Sequence, residues 1–311
     1  MIDTIMFKID TVENPDARIW RYNIPDHNIL QTGADTFKGN IRNMQIFENM
    51  NGLTVRGSIA KFFYGNNVQN FTRENYTDAL KEFEQITGLN LHLAKLKRVD
   101  FGESIIVEKD AGEYIRLFSN ISRYKKDVII GNKGIQTVTY FTNTGSYAFC
   151  IYDKMQELED RKEDAPELFK NCNILRMEYR ILKSNGIREK LGNGINISPW
   201  VLAEKEKYKI LNQLYLDFYK SIPKAGRRVF YDKNRQYTPT EYFEIQTEYA
   251  RQIDPNFTND LLNFLSKNGN LSRQNLKRIK AQEKKNSQNY AFSDTNGLIV
   301  ELNEKMHCRT F

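Results

Sequence analysis

The sequence predicts an α+β fold: a central antiparallel sheet with helices on one face, followed by a helical C-terminal region. Three observations carry this. Alternation of apolar and polar residues recurs in separate stretches of the first two thirds of the chain. Helix start and stop residues stand between those stretches. From Ser198 onward the apolar rhythm becomes helical. The sheet is expected to hold about five strands.

In DTIMFKI (3–9), Ile5, Phe7 and Ile9 alternate with Met6 and Lys8, giving a first strand. The rest of residues 1–52 shows no clear element, and ENPDARIWRYNIPDHN reads as loop and turn. LTVRGSIAKFFYGNN (53–67) alternates and ends in a Gly-Asn-Asn turn, so it reads as a strand. Thr72 caps a helix whose apolar stripe is Tyr76, Ala79, Leu80, Phe83 and Ile86, and Gly88 stops it. LAKLKRVDFGESIIVE (93–108) is a strand region with a bulge or bend expected at Gly102. AGEYIRLFSNIS is a short helix. IQTVTYFTN and YAFCIYDK form a hairpin across Thr144-Gly145. MQELEDRKED is a charged helix, and NILRMEYRIL (173–182) is a further strand.

Ser198 and Pro199 then open SPWVLAEKEKYKILNQLYLDFYKSI as a helix. TPTEYFEIQTEYARQI follows as another. TNDLLNFLSKNGNLSRQNLKRIKAQEKK reads as helix, Asn-Gly turn and a basic helix capped by Ser272. The division expected is a body over residues 1–195 and a helical region over 196–311.

At 311 residues, 40% hydrophobic and 12% aromatic, the chain has enough apolar surface for a core, which excludes global disorder. A formal charge of +7 permits a polyanionic partner without requiring one. Three widely spaced cysteines, Cys150, Cys172 and Cys308, make neither a disulfide framework nor a zinc site, and fit a reducing cytoplasm. No run of about 18 apolar residues suggests a membrane span, and MIDTIMFKID is too short and too charged for a signal peptide.

Strand parity separates core from chemistry, since successive side chains take opposite faces. Leu175, Met177, Tyr179 and Ile181 share one face; Arg176, Glu178 and Arg180 share the other. Val99 and Phe101 oppose Arg98 and Asp100. Tyr147, Phe149 and Ile151 oppose Ala148, Cys150, Tyr152 and Lys154. Asp153 falls on the core parity, so the strand ends there or Asp153 caps the next helix. If these strands are neighbours, Asp100, Glu178, Tyr152 and Lys154 converge. Two carboxylates with waters suit Mg²⁺ or Mn²⁺. Tyr152, held at the edge of the sheet, would attack a phosphate polarised by the metal, with Lys154 stabilising the phenolate or the phosphate. Arg98, Arg176 and Arg180 would hold neighbouring phosphates.

KRVDFG, FCIYDKMQEL and LRMEYRI, in this order, resemble the replication-initiator nucleases of filamentous phages, the gene-two or II/X family, and the rolling-circle initiators of small staphylococcal-type plasmids. The match covers roughly residues 53–182, and the start MIDTIMFKI is similar to the phage family's beginning. The resemblance implies an enzyme that nicks one strand of double-stranded origin DNA and forms a 5′-phosphotyrosyl link. The 3′-OH primes rolling-circle synthesis, and the displaced single strand is later rejoined. The family's Tyr-x-Lys motif falls on Tyr152. Its Arg-x-Asp aspartate falls on Asp100 and its Arg-x-Glu glutamate on Glu178, as metal ligands. A host helicase and replication machinery in a bacterial cytoplasm are implied, and no membrane. Many rolling-circle nucleases bind metal through a His-hydrophobic-His pair. With only His27, His92 and His307, this chain leaves an acidic site as the remaining option.

Arg273, Lys277 and Arg278 on the basic helix, and Arg227 and Arg228 in the loop KAGRRVFYDKNRQY, are expected DNA backbone contacts. Tyr231-Asp232-Lys233 repeats the letters of Tyr152-Asp153-Lys154 without partner strands, so Tyr231 is the weaker nucleophile. Cys150 is expected to pack, His92 to sit in a connecting loop, and GNGINISP to be a turn. The competing function is a non-catalytic nucleic-acid-binding protein using the same sheet as a basic, aromatic platform.

Overall fold

A computed structural model describes residues 2–25, 28–121, 123–131, 134–192 and 197–224. Within the remainder it describes 261–262, 264–265, 267, 269, 272, 274–279, 281 and 297–307. They separate into two compact units, one over Met1–Ile115 and Ile121–Ser221, the other over Arg116–Asn120 and Ile222–Arg309.

Among the described residues, the first unit is built on one antiparallel sheet of ten strands. In chain order these are β1 (Ile2–Ile9), β2 (Ile29–Gly33), β3 (Thr36–Ile41), β4 (Met44–Asn49), β5 (Gly52–Ser58), β6 (Lys95–Val107), β7 (Tyr124–Gly131), β8 (Gly134–Thr142), β9 (Tyr147–Asp153) and β10 (Asn173–Ile181). Their spatial order is β2-β3-β4-β5-β1-β6-β10-β9-β8-β7. The α+β class and the antiparallel sheet stand as expected; the count of about five does not. β9 lies between β10 and β8, so Tyr152 is on an interior strand rather than a sheet edge.

The α-helices of this unit are, in chain order, α1 (Trp20–Asn23), α2 (Ile59–Tyr64), α3 (Arg73–Thr87), α4 (Ala111–Ile115), α5 (Lys154–Asp160), α6 (Ser184–Leu191) and α7 (Lys205–Ser221). One face of the sheet is apolar and packed by helices. Phe83 of α3 (Arg73–Thr87) meets Phe7 edge-on at 6.1 Å. Phe218 of α7 (Lys205–Ser221) stacks on Phe149 at 4.6 Å. This places α7 in the first unit, which therefore runs past residue 195. Thr72 caps α3 through a reciprocal bond with Asn75, and Gly88 ends it in the left-handed region at φ 72°. The segment from Ser198 divides, with a 3-10 turn at Pro199–Ala203 before α7.

LTVRGSIAKFFYGNN is half strand. Ser58 closes β5 and accepts the Lys61 amide, starting α2 (Ile59–Tyr64), which Gly65 stops at φ 76°. The cap overrides the alternation because its oxygen satisfies an amide that a strand would have paired. β6 and β10 run in unbroken register from Val99 to Val107, so Gly102 marks no bulge between them. The register shifts lie between β1 and β6. Gly102 instead allows close approach: a Cβ there would lie 1.9 Å from the Met177 carbonyl oxygen.

In the second unit, Phe118 bridges Lys224, and a helix over Gly297–His307 buries Leu302 and Met306. Ser272 accepts the Asn275 amide at 3.2 Å and so caps residues 274–279. No helix among the described residues is long and apolar enough to cross a membrane. The expected helix over 238–253 lies outside them.

Candidate active site

β6, β10 and β9 are adjacent, and their polar parities fall on one face. Arg180 pairs with Asp100 on β6 and with Ala148 on β9; Glu178 pairs with Cys150, and Arg176 with Tyr152. Asp153 ends β9 and caps α5 (Lys154–Asp160), accepting the amides of Met155 at 2.9 Å and Gln156 at 3.0 Å. That removes the difficulty of a charge on the core parity.

The phenol of Tyr152 donates to Glu178 Oε1 at 2.7 Å. The same oxygen accepts Arg176 Nε at 3.1 Å. Glu178 Oε2 accepts Arg180 Nη2 at 2.7 Å and Nε at 3.0 Å. Asp100 takes the fork of Arg98 at 2.8 and 2.6 Å, with Arg180 Nε 3.8 Å away. Tyr152, Asp100, Arg176 and Glu178 are all buried, while Arg98 and Arg180 keep about a quarter of their side-chain surface, 23% and 27%.

Burial and the Glu178 charge push the Tyr152 phenol well above its ordinary range, against the pull of Arg176. Burial alone would raise Glu178, yet the guanidiniums of Arg180 and Arg176 outweigh it and hold the carboxyl at about 2. Asp100 goes the other way: burial exceeds the pull of Arg98 and Arg180 and lifts it to about 6. The resting site is therefore a neutral phenol hydrogen-bonded to an arginine-clamped carboxylate.

Residues 27–197, more than half of the chain, match the Phage CRI family, described as the N-terminal part of a replication-associated protein. The chain belongs to that family. Among solved structures, the rolling-circle replication initiator protein from Geobacillus stearothermophilus is similar at 10% identity. That match covers 75% of this chain and 89% of that one, with a TM-score of 0.39. No curated protein matches the chain.

In this member of the Phage CRI family the residues expected at the site separate into groups. Tyr152, Asp100, Glu178, Arg98 and Arg180 come together. Lys154 opens α5, where its ammonium is buried and donates to Glu157 Oε2 at 2.5 Å rather than to the phenol. Burial lowers its pKa. Arg176, expected to contact DNA, is wholly buried. It donates to Asp3, Glu178, the Asn67 carbonyl and Ser104, which makes it an internal strut. Lys277 and Arg278 are exposed. Arg227, Arg228, Arg273 and Tyr231 lie outside the described residues. Cys150 packs, with its sulfur 3.0 Å from the Thr139 hydroxyl, and His92 stacks on Trp200 at 5.4 Å.

Asp100 and Glu178 do not fit a divalent ion as arranged. Every carboxylate oxygen already accepts a guanidinium or phenol hydrogen, and three arginines surround the pair. A cation there would have to displace Arg98 or Arg180. Among the described residues, no group of three or more His, Cys, Asp or Glu could hold a metal.

Asp3 is the site residue that sequence reasoning missed. It is buried, accepts Arg176 Nη2 at 3.0 Å and Asn67 Nδ2 at 3.1 Å, and receives the Ser58 hydroxyl. It thus anchors the arginine that touches Glu178. Asp3→Asn is expected to lower the unfolding free energy by about 2 kcal/mol, the range for a hydrogen bond to a charged group. Urea unfolding measures this; an unchanged midpoint removes Asp3 from the network.

Asp100 makes a signed pH prediction. Its folded pKa of about 6 exceeds the ordinary 3.8, so the fold binds the proton more tightly than the unfolded chain does. Its contribution is full below about 3.8 and is lost as pH rises through about 6. At 1.36 kcal/mol per pKa unit this amounts to about 3 kcal/mol. Asp100→Asn should remove that slope. Unfolding of both proteins at pH 4 and pH 7 tests it, and parallel curves would contradict it.

Proposed function

We propose that this chain initiates rolling-circle replication by nicking one strand of origin DNA, with Tyr152 forming a 5′-phosphotyrosyl link that is later resolved by rejoining. Family membership supports the replication role. The observation that carries the chemistry is the 2.7 Å hydrogen bond from the Tyr152 phenol to Glu178, which sets a proton acceptor against the attacking oxygen.

In the resting site Glu178 is a weak base because Arg180 and Arg176 hold its charge. Arg180 is the partly exposed member of that clamp, whereas Arg176 is wholly buried. A scissile phosphate that takes over the Arg180 fork would leave Glu178 with one cation fewer and raise its basicity. The Tyr152 oxygen then bonds to phosphorus, its proton passes to Glu178, and the P–O3′ bond breaks. The 3′ oxygen takes a proton from solvent and becomes the primer hydroxyl. Arg98 and Arg180 hold the phosphate in line. Nicking needs the origin locally melted, so double-stranded and single-stranded DNA are both partners, together with a host helicase and replication machinery in the bacterial cytoplasm. The nicking activity is assigned to the sheet-bearing part of the chain, and Lys277 and Arg278 to backbone contact.

One observation favours the competing reading of a non-catalytic nucleic-acid-binding protein: the phenol is buried and its ionisation is suppressed. Supercoiled origin DNA, incubated with the protein and Mg²⁺, Mn²⁺ or a chelator, separates the two. Nicked circles carrying protein at a 5′ end support the nickase. Tight binding with no nick at any metal supports the binder.

A further inference from the structure

The polar face of the sheet is covered on one side of Tyr152 and open on the other. Around Ile174 and Arg176 it lies under α5 and residues 65–72, through Leu158, Val68 and the Asn67 carbonyl. Past Arg180 and Arg98 it continues outward over β1, β5, β4 and β3. Residues paired across neighbouring strands stand on the same face. Arg98 pairs with Met6, and Met6 with Arg56. Lys8 pairs with Thr54, Thr54 with Phe47, and Phe47 with Lys38. Arg56 and Lys38 are exposed, and Phe47 is 37% exposed. The Lys38 ammonium stands 6.0 Å over the Phe47 ring. No carboxylate occurs among these paired positions.

We propose that the outer strands β3–β5, with β1, form a platform for single-stranded DNA. It holds the strand that leaves the Tyr152 site across Arg180 and Arg98. The inference rests on the nicking reading for its starting point. Charge complementarity selects a polyanion, and the exposed aromatic selects the single strand. A duplex hides its base faces, whereas an unpaired strand can stack a base on Phe47 while Lys38 and Arg56 take phosphates. From β9 to β3 the sheet crosses six inter-strand spacings of about 4.8 Å, about 29 Å in all, enough for several nucleotides.

Fluorescence anisotropy of the full chain with labelled oligothymidylate, and with a duplex of equal length, tests the platform. Lys38→Gln with Arg56→Gln should weaken single-strand binding about tenfold and flatten the salt slope by about 1.4, at ~0.7 per phosphate contact. Phe47→Ser should weaken it about tenfold with the slope unchanged, since stacking releases no counterion. Unchanged single-strand affinity in both variants, or an equal loss on the duplex, overturns the proposal. Tyr152→Phe leaves oligothymidylate binding intact if the platform is right. Loss of nicking alone therefore speaks to Tyr152, and loss of strand binding alone speaks to the platform.

Discussion

Tyr152→Phe is expected to abolish nicking of supercoiled origin DNA, by a factor on the order of 10⁴ or more, while DNA affinity stays within about twofold. The substitution removes one oxygen. That oxygen is both the proposed nucleophile and the donor to Glu178 Oε1. Glu178 keeps its bonds to Arg176 and Arg180, so no buried charge is left without a partner. The fold should lose only about 1 kcal/mol, the net worth of one hydrogen bond. Arg98 and Arg180 are untouched, so phosphate binding persists. The covalent adduct, seen as protein that survives denaturation on the 5′ end, should vanish with the nicks. If the Phe variant nicks at the wild-type rate, the nucleophile is elsewhere, and Tyr231 becomes the first residue to replace.

The strands that form this site were legible because each carries a long alternation with bulky residues on one parity and ionisable ones on the other. β6, β9 and β10 are interior strands with a helix-packed face, which is where alternation is sharpest. The outer strands β2, β3 and β7 lack it for identifiable reasons. β2 is an edge strand exposed over most of its length, so no burial shapes its sequence. β3 has Gly39 where an inward side chain would stand. A Cβ there would lie 2.5 Å from the Trp20 ring, so the core position is filled from another segment. β7 forms the opposite edge and leaves Ile129 and Ile130 exposed.

Asp3 was hidden by a register shift. In the sequence it shares parity with Ile5 and Phe7, which assigns it to the apolar face. In the structure Ile2 pairs with Phe101 and Ile5 with Val99, three residues of β1 against two of β6. That irregularity turns Asp3 to the polar face, beside Arg176. Parity reasoning is sound only between bulges, and nothing in MIDTIMFKI announces one. The fate of Arg176 was hidden for another reason. Parity gives a side chain's face but not what covers it, and the cover comes from residues 65–72 and α5, distant in sequence.

Glu178→Gln is expected to lose nicking and also to destabilise the first unit by about 3 kcal/mol, the lower end for removing one partner of a buried ion pair. The carboxylate is the point where two guanidiniums and the phenol meet. A neutral amide leaves wholly buried Arg176 with Asp3 as its one remaining ion-pair partner among the described residues. The pH dependence tells this effect from a local packing defect. Glu178 has a folded pKa of about 2, below its ordinary 4.5, so its stabilisation is full above about 4.5 and is lost as pH falls toward about 2. Wild type and Glu178→Gln should therefore differ most near neutral pH and converge on acidification, opposite in sign to Asp100. Urea unfolding at pH 7 and pH 3 supplies the comparison. A difference that stays constant across that range would mean that the charge of Glu178 is not what holds Arg176 and Arg180 in place, and the proton-acceptor role built on that clamp would lose its basis.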